Sequence, residues 1–175
     1  MIEGVGVRMR RAEWEDVDFL VDLLAHAEVE PFLAVARTRA ELLDEIDRSL
    51  SEPQDFGRFL IEVEAGGGWV PAGALGFEVR NRRSRIAALQ RLAVHPDFRG
   101  RRLGDEAARL MQRHLVFDLD YHRLELEVYG FNERAIAHAE RSGFVKEGVK
   151  RRAYLRDGEW VDGVLFGLTR EDLEG

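Results

Sequence analysis

Leu92-Ala-Val-His-Pro-Asp-Phe-Arg-Gly-Arg-Arg-Leu-Gly104 is the most informative stretch of this 175-residue chain. It ends a strongly apolar run, Ile86–Val94, which reads as a buried strand, and within ten residues it opens an amphipathic helix over about 103–117. Leu103, Ala107, Leu110, Met111 and Leu115 form the helix's apolar stripe. Gly100 and Gly104 let the backbone come close to a ligand. The first amides of a helix have no partner within it and carry the positive end of its dipole, so the turn is a ready anion site. Arg99, Arg101 and Arg102 add side-chain charge. Neither the P-loop spacing nor the G-x-G-x-x-G dinucleotide fingerprint is present. From the glycines alone, a plain strand-to-helix turn with solvated arginines is an equal alternative.

Outward from this loop the chain alternates strand and helix. Toward the N-terminus, residues 57–64 and 70–80 read as two strands joined by Gly66-Gly67-Gly68, a hairpin turn because no helix starts after it. Thr38-Arg-Ala-Glu41 is a capping box ahead of the stripe Leu42, Leu43, Ile46, Leu50. Helical spacing also covers residues 13–28, and residues 5–11 alternate as a first strand. Toward the C-terminus, a strand at 122–128, a helix at 132–141 and a hairpin turning at Asp157-Gly158 complete the order β-α-α-β-β-β-α-β-α-β-β. That order predicts one α/β domain over residues 1–175, with a mixed central sheet flanked by helices.

Composition narrows the chemistry. There is no Cys, which excludes a disulfide framework, a thiolate metal site and a cysteine nucleophile, and fits a cytoplasmic setting. The five His residues lack H-x-x-x-H spacing, so no metal is expected. His138, beside Ala139, invites a catalytic reading but reads first as a helix-surface or half-buried histidine. No run approaches a membrane span. The formal charge is −7, but it is uneven. Residues 1–50 hold 6 Arg against 12 acids, whereas residues 80–102 hold 8 Arg against Asp97 alone. An acidic total argues against nucleic acid as a partner.

Here the residues resemble a known family. Residues 92–104 are similar to the acetyl-coenzyme A loop of the GNAT N-acetyltransferases, [Q/R]-x-x-G-x-[G/A], with Arg99 first, Gly104 last and Arg102 in place of the middle Gly. Residues 132–144 resemble that family's N-x-x-A-x-x-x-Y-x-K-x-G-F element through Asn132, Ala135, Gly143 and Phe144. The closing hairpin resembles the branch that acetylates ribosomal-protein alanine N-termini. The resemblance implies acetyl-CoA as co-substrate and direct attack of a primary amine on its thioester. Leu92, Ala93 and Val94 would face the pantetheine, and the amides of Arg99, Gly100, Arg101, Arg102, Leu103 and Gly104 would cradle the pyrophosphate. Asn132 would hold the pantetheine arm.

Two positions depart from the pattern. The usual basic Glu falls at Ala88 and the usual acidic Tyr at Ala139. Glu127 is the remaining candidate base. Glu125 and Glu127 lie two apart on a strand and share a face, so one of them should be partly desolvated. Tyr129 is the first candidate acid, with Tyr154, Ser142 or a water as alternatives. The connection over residues 28–37 would lie over the acceptor. Its Glu28 and Glu30, with the acidic residues of 1–50, favour a cationic amine such as a protein N-terminus, a polyamine or an aminoglycoside. Ala88 and Ala139 leave a second reading open, a non-catalytic acyl-CoA-binding module. The exposed edges of an open sheet allow a homodimer, which no residue specifies.

Overall fold

The computed structural model describes residues 1–26, 29 and 37–175. Eight strands form one sheet in the order β1-β2-β3-β4-β5-β6-β8-β7. They are β1 (Ile2–Glu3), β2 (Val7–Arg11), β3 (Phe56–Ala65), β4 (Gly68–Asn81), β5 (Ile86–Val94), β6 (Arg123–Tyr129), β7 (Val145–Arg156) and β8 (Glu159–Thr169). The helices are α1 (Val17–Ala25), α2 (Arg39–Ser51), α3 (Leu103–Arg113), α4 (Glu133–Arg141) and α5 (Arg170–Glu174). The mixed sheet and its flanking helices are those expected from the sequence. β1 and α5 are too short to carry a periodic signal. The stripe predicted as one helix to 117 leaves α-geometry at Arg113 and finishes in a π turn, His114–Asp118.

Local signals account for the element ends. The Thr38 hydroxyl accepts from the Glu41 amide at 3.2 Å, and the Glu41 carboxylate accepts from the Thr38 amide at 2.8 Å. This reciprocal cap satisfies two of the unpaired donors at the start of α2. Asp157 and Gly158 both take positive φ, 50° and 80°, the pairing that a two-residue hairpin turn requires.

Two apolar layers sandwich the sheet. On one side α3 and α4 bury Ala107, Met111 and Ala139 against Met9, Ile61, Phe77, Leu124 and Phe166. On the other, α1 and α2 bury Leu20, Leu23, Leu42 and Ile46 against Leu60, Ala74 and Ala93. The second layer covers only the β2–β5 half of the sheet. The corresponding face of β6, β8 and β7 carries Glu125, Glu127, Lys150 and Tyr154 instead, all of which line an open cleft.

Two features of β5 open that cleft. All strand pairs are antiparallel except β5 with β6, which pair in parallel only from Ile86 with Arg123 to Ala88 with Glu125. Past Ala88 the two strands diverge, so among the described residues the β6-side edge of Leu89–Val94 has no strand partner. β5 also contains a bulge. Ala74 pairs with Ala93 but Gly76 pairs with Gln90, so two steps on β4 match three on β5. Arg91 sits in the bulge at φ 52°. The extra residue reverses the alternation: Leu89 and Leu92, three apart, both pack on the α3/α4 side.

Candidate active site

The diverging strands, the N-terminus of α3 and the start of α4 enclose a cleft of about 1630 Å³. Its described lining carries nine Arg or Lys side chains against five Asp or Glu, a positive surface on a chain of net charge −7. The cations include Arg99 and Arg102 at the α3 turn, Arg91 on β5, and Arg123, Arg134, Arg141 and Lys150 on β6, α4 and β7. Leu92, Ala93, Val94, Arg99, Gly100, Arg102, Leu103, Gly104 and Asn132 all line the cleft, as do Glu127 and Tyr129.

The α3 turn shows why the departure at Arg102 is tolerated. Gly100 has φ 83°, and Arg102, the residue before the first turn of α3, has φ 55° and ψ 27°. The backbone therefore takes the left-handed conformation that a Gly would adopt there, at a steric cost of about 1–2 kcal/mol for a side chain with Cβ. We expect Arg102→Gly to keep the loop path and to leave thermal stability equal or up to about 1 kcal/mol higher. Coenzyme A affinity should fall by no more than about one exposed ion pair. Denaturant melts and calorimetry check both. Arg101, expected near phosphate, instead stands over the Phe98 ring at 5.6 Å and is not among the cleft-lining residues.

α3 and α4 are tied together beside this turn. Asp105 is buried and accepts from Arg141 Nε at 3.1 Å, and its Oδ1 lies 2.6 Å from His138 Nδ1. Burial pushes the Asp105 carboxyl up, but Arg141 and His138 outweigh it and hold it below the usual range. His138 is thus a positioned residue at the cleft wall and not a plain surface histidine. Asn132 caps α4: its Oδ1 accepts from the Ala135 amide at 3.1 Å. The side-chain nitrogen is then the group left to reach a ligand. Ala139 is fully buried in the core and cannot reach the cleft.

Glu127 lies on the open face of β6 because Leu124, Leu126 and Val128 take the alternate positions toward the core. The Glu127 side chain is 31% exposed and that of Glu125 40%, so both keep contact with solvent. Glu125 accepts from Arg123, which also pairs with Glu147. Glu127 accepts from Tyr154 Oη at 2.5 Å and from Lys150 Nζ at 3.2 Å. Both partners come from β7, across the intervening β8. Gly163 of β8 allows this, since a Cβ there would lie 2.4 Å from Glu127 Oε1 and 2.7 Å from the Tyr154 ring. The bond to Glu127, with partial burial, raises the Tyr154 hydroxyl above its ordinary value, and the same carboxylate raises Lys150. Tyr129 turns elsewhere: its hydroxyl accepts from Arg156 at 3.3 Å and its ring stacks on Phe131. Tyr154, an alternative in the sequence, is the tyrosine placed on Glu127. Glu28 and Glu30 lie outside the described residues. Ala88 lines the cleft opposite Glu125.

Comparison with known proteins agrees with this architecture. Residues 7–145 match the model of the acetyltransferase (GNAT) domain. The chain belongs to the GNAT acetyltransferase family. An uncharacterized, SPbeta prophage-derived N-acetyltransferase of Bacillus subtilis (strain 168) is 36% identical over 83 residues, 47% of each chain. The match thus spans about half the length of that curated relative. Among solved structures, a spermidine N-acetyltransferase from Vibrio cholerae in complex with CoA and spermine superposes with a TM-score of 0.86. It is 18% identical, covering 98% of this chain and 100% of that one. A dodecameric structure of the spermidine N-acetyltransferase from the same organism has a TM-score of 0.81 at 18% identity, with 97% of each chain covered. These likenesses establish the fold. Among the described residues there is no metal-binding group, and no helix is long and apolar enough to cross a membrane.

Proposed function

We propose that this chain transfers the acetyl group of acetyl-CoA to a primary amine, which attacks the thioester directly. The observation that carries the reading is one cleft with two chemically distinct ends. One end has an unpaired strand edge running into a cation-rich helix start; the other has a carboxylate on the open face.

These residues fit a nucleotide thioester. The free edge of Leu92–Val94 offers backbone donors and acceptors to the amides of a pantetheine arm. The Arg99–Gly104 turn offers amides to a pyrophosphate, with Arg99 and Arg102 alongside. Asn132 closes the arm's other side. Acetyl-CoA, when bound, supplies the activated acetyl carbon.

The chain's own groups then handle the proton. An amine arrives as an ammonium and must lose a proton to attack. Glu127 is the acceptor for it. Tyr154 fixes Oε1, while Lys150 holds Oε2 until an incoming ammonium replaces it, one cation for another. Tyr154, its hydroxyl pKa raised by the bond to Glu127, keeps its proton at neutral pH, and we assign it the return of a proton to the departing thiolate, after which it is reprotonated from Glu127. Replacing Tyr154 with Phe should lower kcat about tenfold and leave coenzyme A affinity within about twofold, as steady-state rates and calorimetry will show.

The acceptor class follows from the same cleft. Glu125, Glu127 and Glu147 suit an amine, and a polyamine is the first candidate because the superposed neighbours act on spermidine. Protein N-termini and aminoglycosides share the same attacking group. A ribosomal-protein alanine acceptor is supported by the closing hairpin's sequence alone. The cytoplasm fits a chain without Cys. Ala88 and Ala139 favour a second reading, a module that binds acyl-CoA without turnover. Thiol release from acetyl-CoA with spermidine, an alanine-terminated peptide and an aminoglycoside separates the two. The proposal expects amine-dependent release with at least one of them. Tight coenzyme A binding with no release above the amine-free rate supports the module.

A further inference from the structure

Three guanidinium groups converge on one carboxylate at the acceptor side of the cleft. Glu45 of α2 accepts from Arg37 Nε at 2.8 Å, Arg58 Nη2 at 2.7 Å and Arg91 Nη1 at 2.7 Å. Arg58 is 1% exposed, and among the described residues its Nε and Nη1 have no hydrogen-bond partner. It cannot reach water, so among the described residues Glu45 is its sole counter-charge, and a buried cation stripped of its partner is strongly disfavoured. Glu45 is therefore committed to Arg58. Arg37 and Arg91 share what remains of it, and both line the cleft. Glu78, another carboxylate among the described residues, is already taken by Arg48, Arg80 and Gln90.

The backbone is bent to keep Arg91 there. In a regular strand Arg91 would share the α3/α4 face with Leu89. The bulge at φ 52° turns it to the α2 face instead, next to the residues that run along the expected thioester. A left-handed bulge position suits Gly, and a side chain with Cβ adopts it at a cost. A strained, under-neutralised guanidinium in a cleft, beside a second one, is a fork for a planar anion.

We infer that Arg91 and Arg37 form a subsite for a carboxylate carried by one of the two co-substrates, either on the amine acceptor or at the far end of the acyl group. The inference rests on the cleft being an acyl-transfer site and adds to it a second point of recognition. A zwitterionic acceptor would place its amine toward Glu127 and its carboxylate toward Arg91. With a purely cationic acceptor such as spermidine, the carboxylate would belong to the acyl chain, as in a dicarboxylic acyl-CoA.

Matched pairs test this by binding as well as turnover. On the acceptor side, CoA-saturated protein is titrated calorimetrically with aspartate against asparagine and with glutamate against glutamine. On the acyl side, succinyl-CoA is compared with butyryl-CoA. The same pairs are run through the thiol-release assay. The proposal expects at least a tenfold preference for the carboxylate member of one arm, collapsing to within about twofold in Arg91→Gly. That variant suits the bulge's positive φ and so keeps the backbone path. Arg91→Lys, which retains charge without the fork, should keep only part of the preference. Equal binding within every pair overturns the subsite, even if acetyl transfer to spermidine proceeds. A preference that survives in Arg91→Gly overturns the assignment to Arg91. Intact discrimination in binding with no transfer to any amine would instead refute the transferase reading and leave the subsite standing.

Discussion

Glu127→Gln should lower kcat on the order of 10²-fold or more at neutral pH while leaving the affinity for coenzyme A within about twofold. The amide is isosteric and its oxygen can still accept from Tyr154, whereas the bond and charge pairing with Lys150 Nζ are lost together with the ability to take a proton. The cofactor half of the cleft, Leu92–Val94 and the α3 turn, is contributed by other elements, which is why binding should survive. The loss should shrink as pH rises, because a growing fraction of the amine then arrives already deprotonated. A rate-pH profile checks this. A variant with an unchanged rate and profile would remove Glu127 from the chemistry. A proportional loss of coenzyme A binding would mean that the substitution disturbs the fold.

Glu45→Gln should destabilise the protein by about 3 kcal/mol at neutral pH, a large fraction of a typical domain's stability. Burial pushes the Glu45 carboxyl up, but Arg58 and Arg91 outweigh it and bring it from an ordinary value near 4.5 down to about 2. The folded value lies below the unfolded one, so the native state favours the anion. A displacement of that size corresponds to about 3 kcal/mol, fully present above the unfolded value and lost as pH falls through the folded one. The wild type should shed this contribution between about pH 5 and pH 2. The Gln variant has no such group, so the gap between the two proteins should close over that window. Urea melts at a series of pH values measure it. A gap that stays constant down to pH 2 would contradict the assignment to Glu45.

Much of this arrangement was legible in the chain, and the reasons are local. The stretch Leu92–Gly104 announces a strand, a turn and a helix start by composition alone, and the cleft forms where it predicts. The capping box at Thr38 and the Asp157-Gly158 turn are decided by side chains within three residues of each other. The bulge was not read from Ile86–Val94, although Gln90 and Arg91 side by side in an otherwise apolar strand were a signal for it. Gly163, inside a strand otherwise fit to pack, marked a close approach of other side chains.

The long-range pairings were not legible. Glu45 meets Arg58 and Arg91 through the packing of α2 on the sheet, and Tyr154 meets Glu127 only because β8 inserts between β6 and β7. The strand order, not sequence distance, brings them together, so the sequence left Tyr129 and Tyr154 as alternatives. Of the acids in residues 1–50, Asp16, Asp18 and Glu45 are paired with arginine, which composition alone does not reveal.

In the proposed reaction the acetyl group itself passes to an amine within this cleft. Incubation with carbon-13-labelled acetyl-CoA and the amine panel, followed by mass spectrometry of the acceptor, tests it directly. The prediction is one labelled acetyl on the amine for each coenzyme A released, with both signals lost together in Glu127→Gln. Saturable coenzyme A binding with the label recovered only as acetate, or not released, would contradict it.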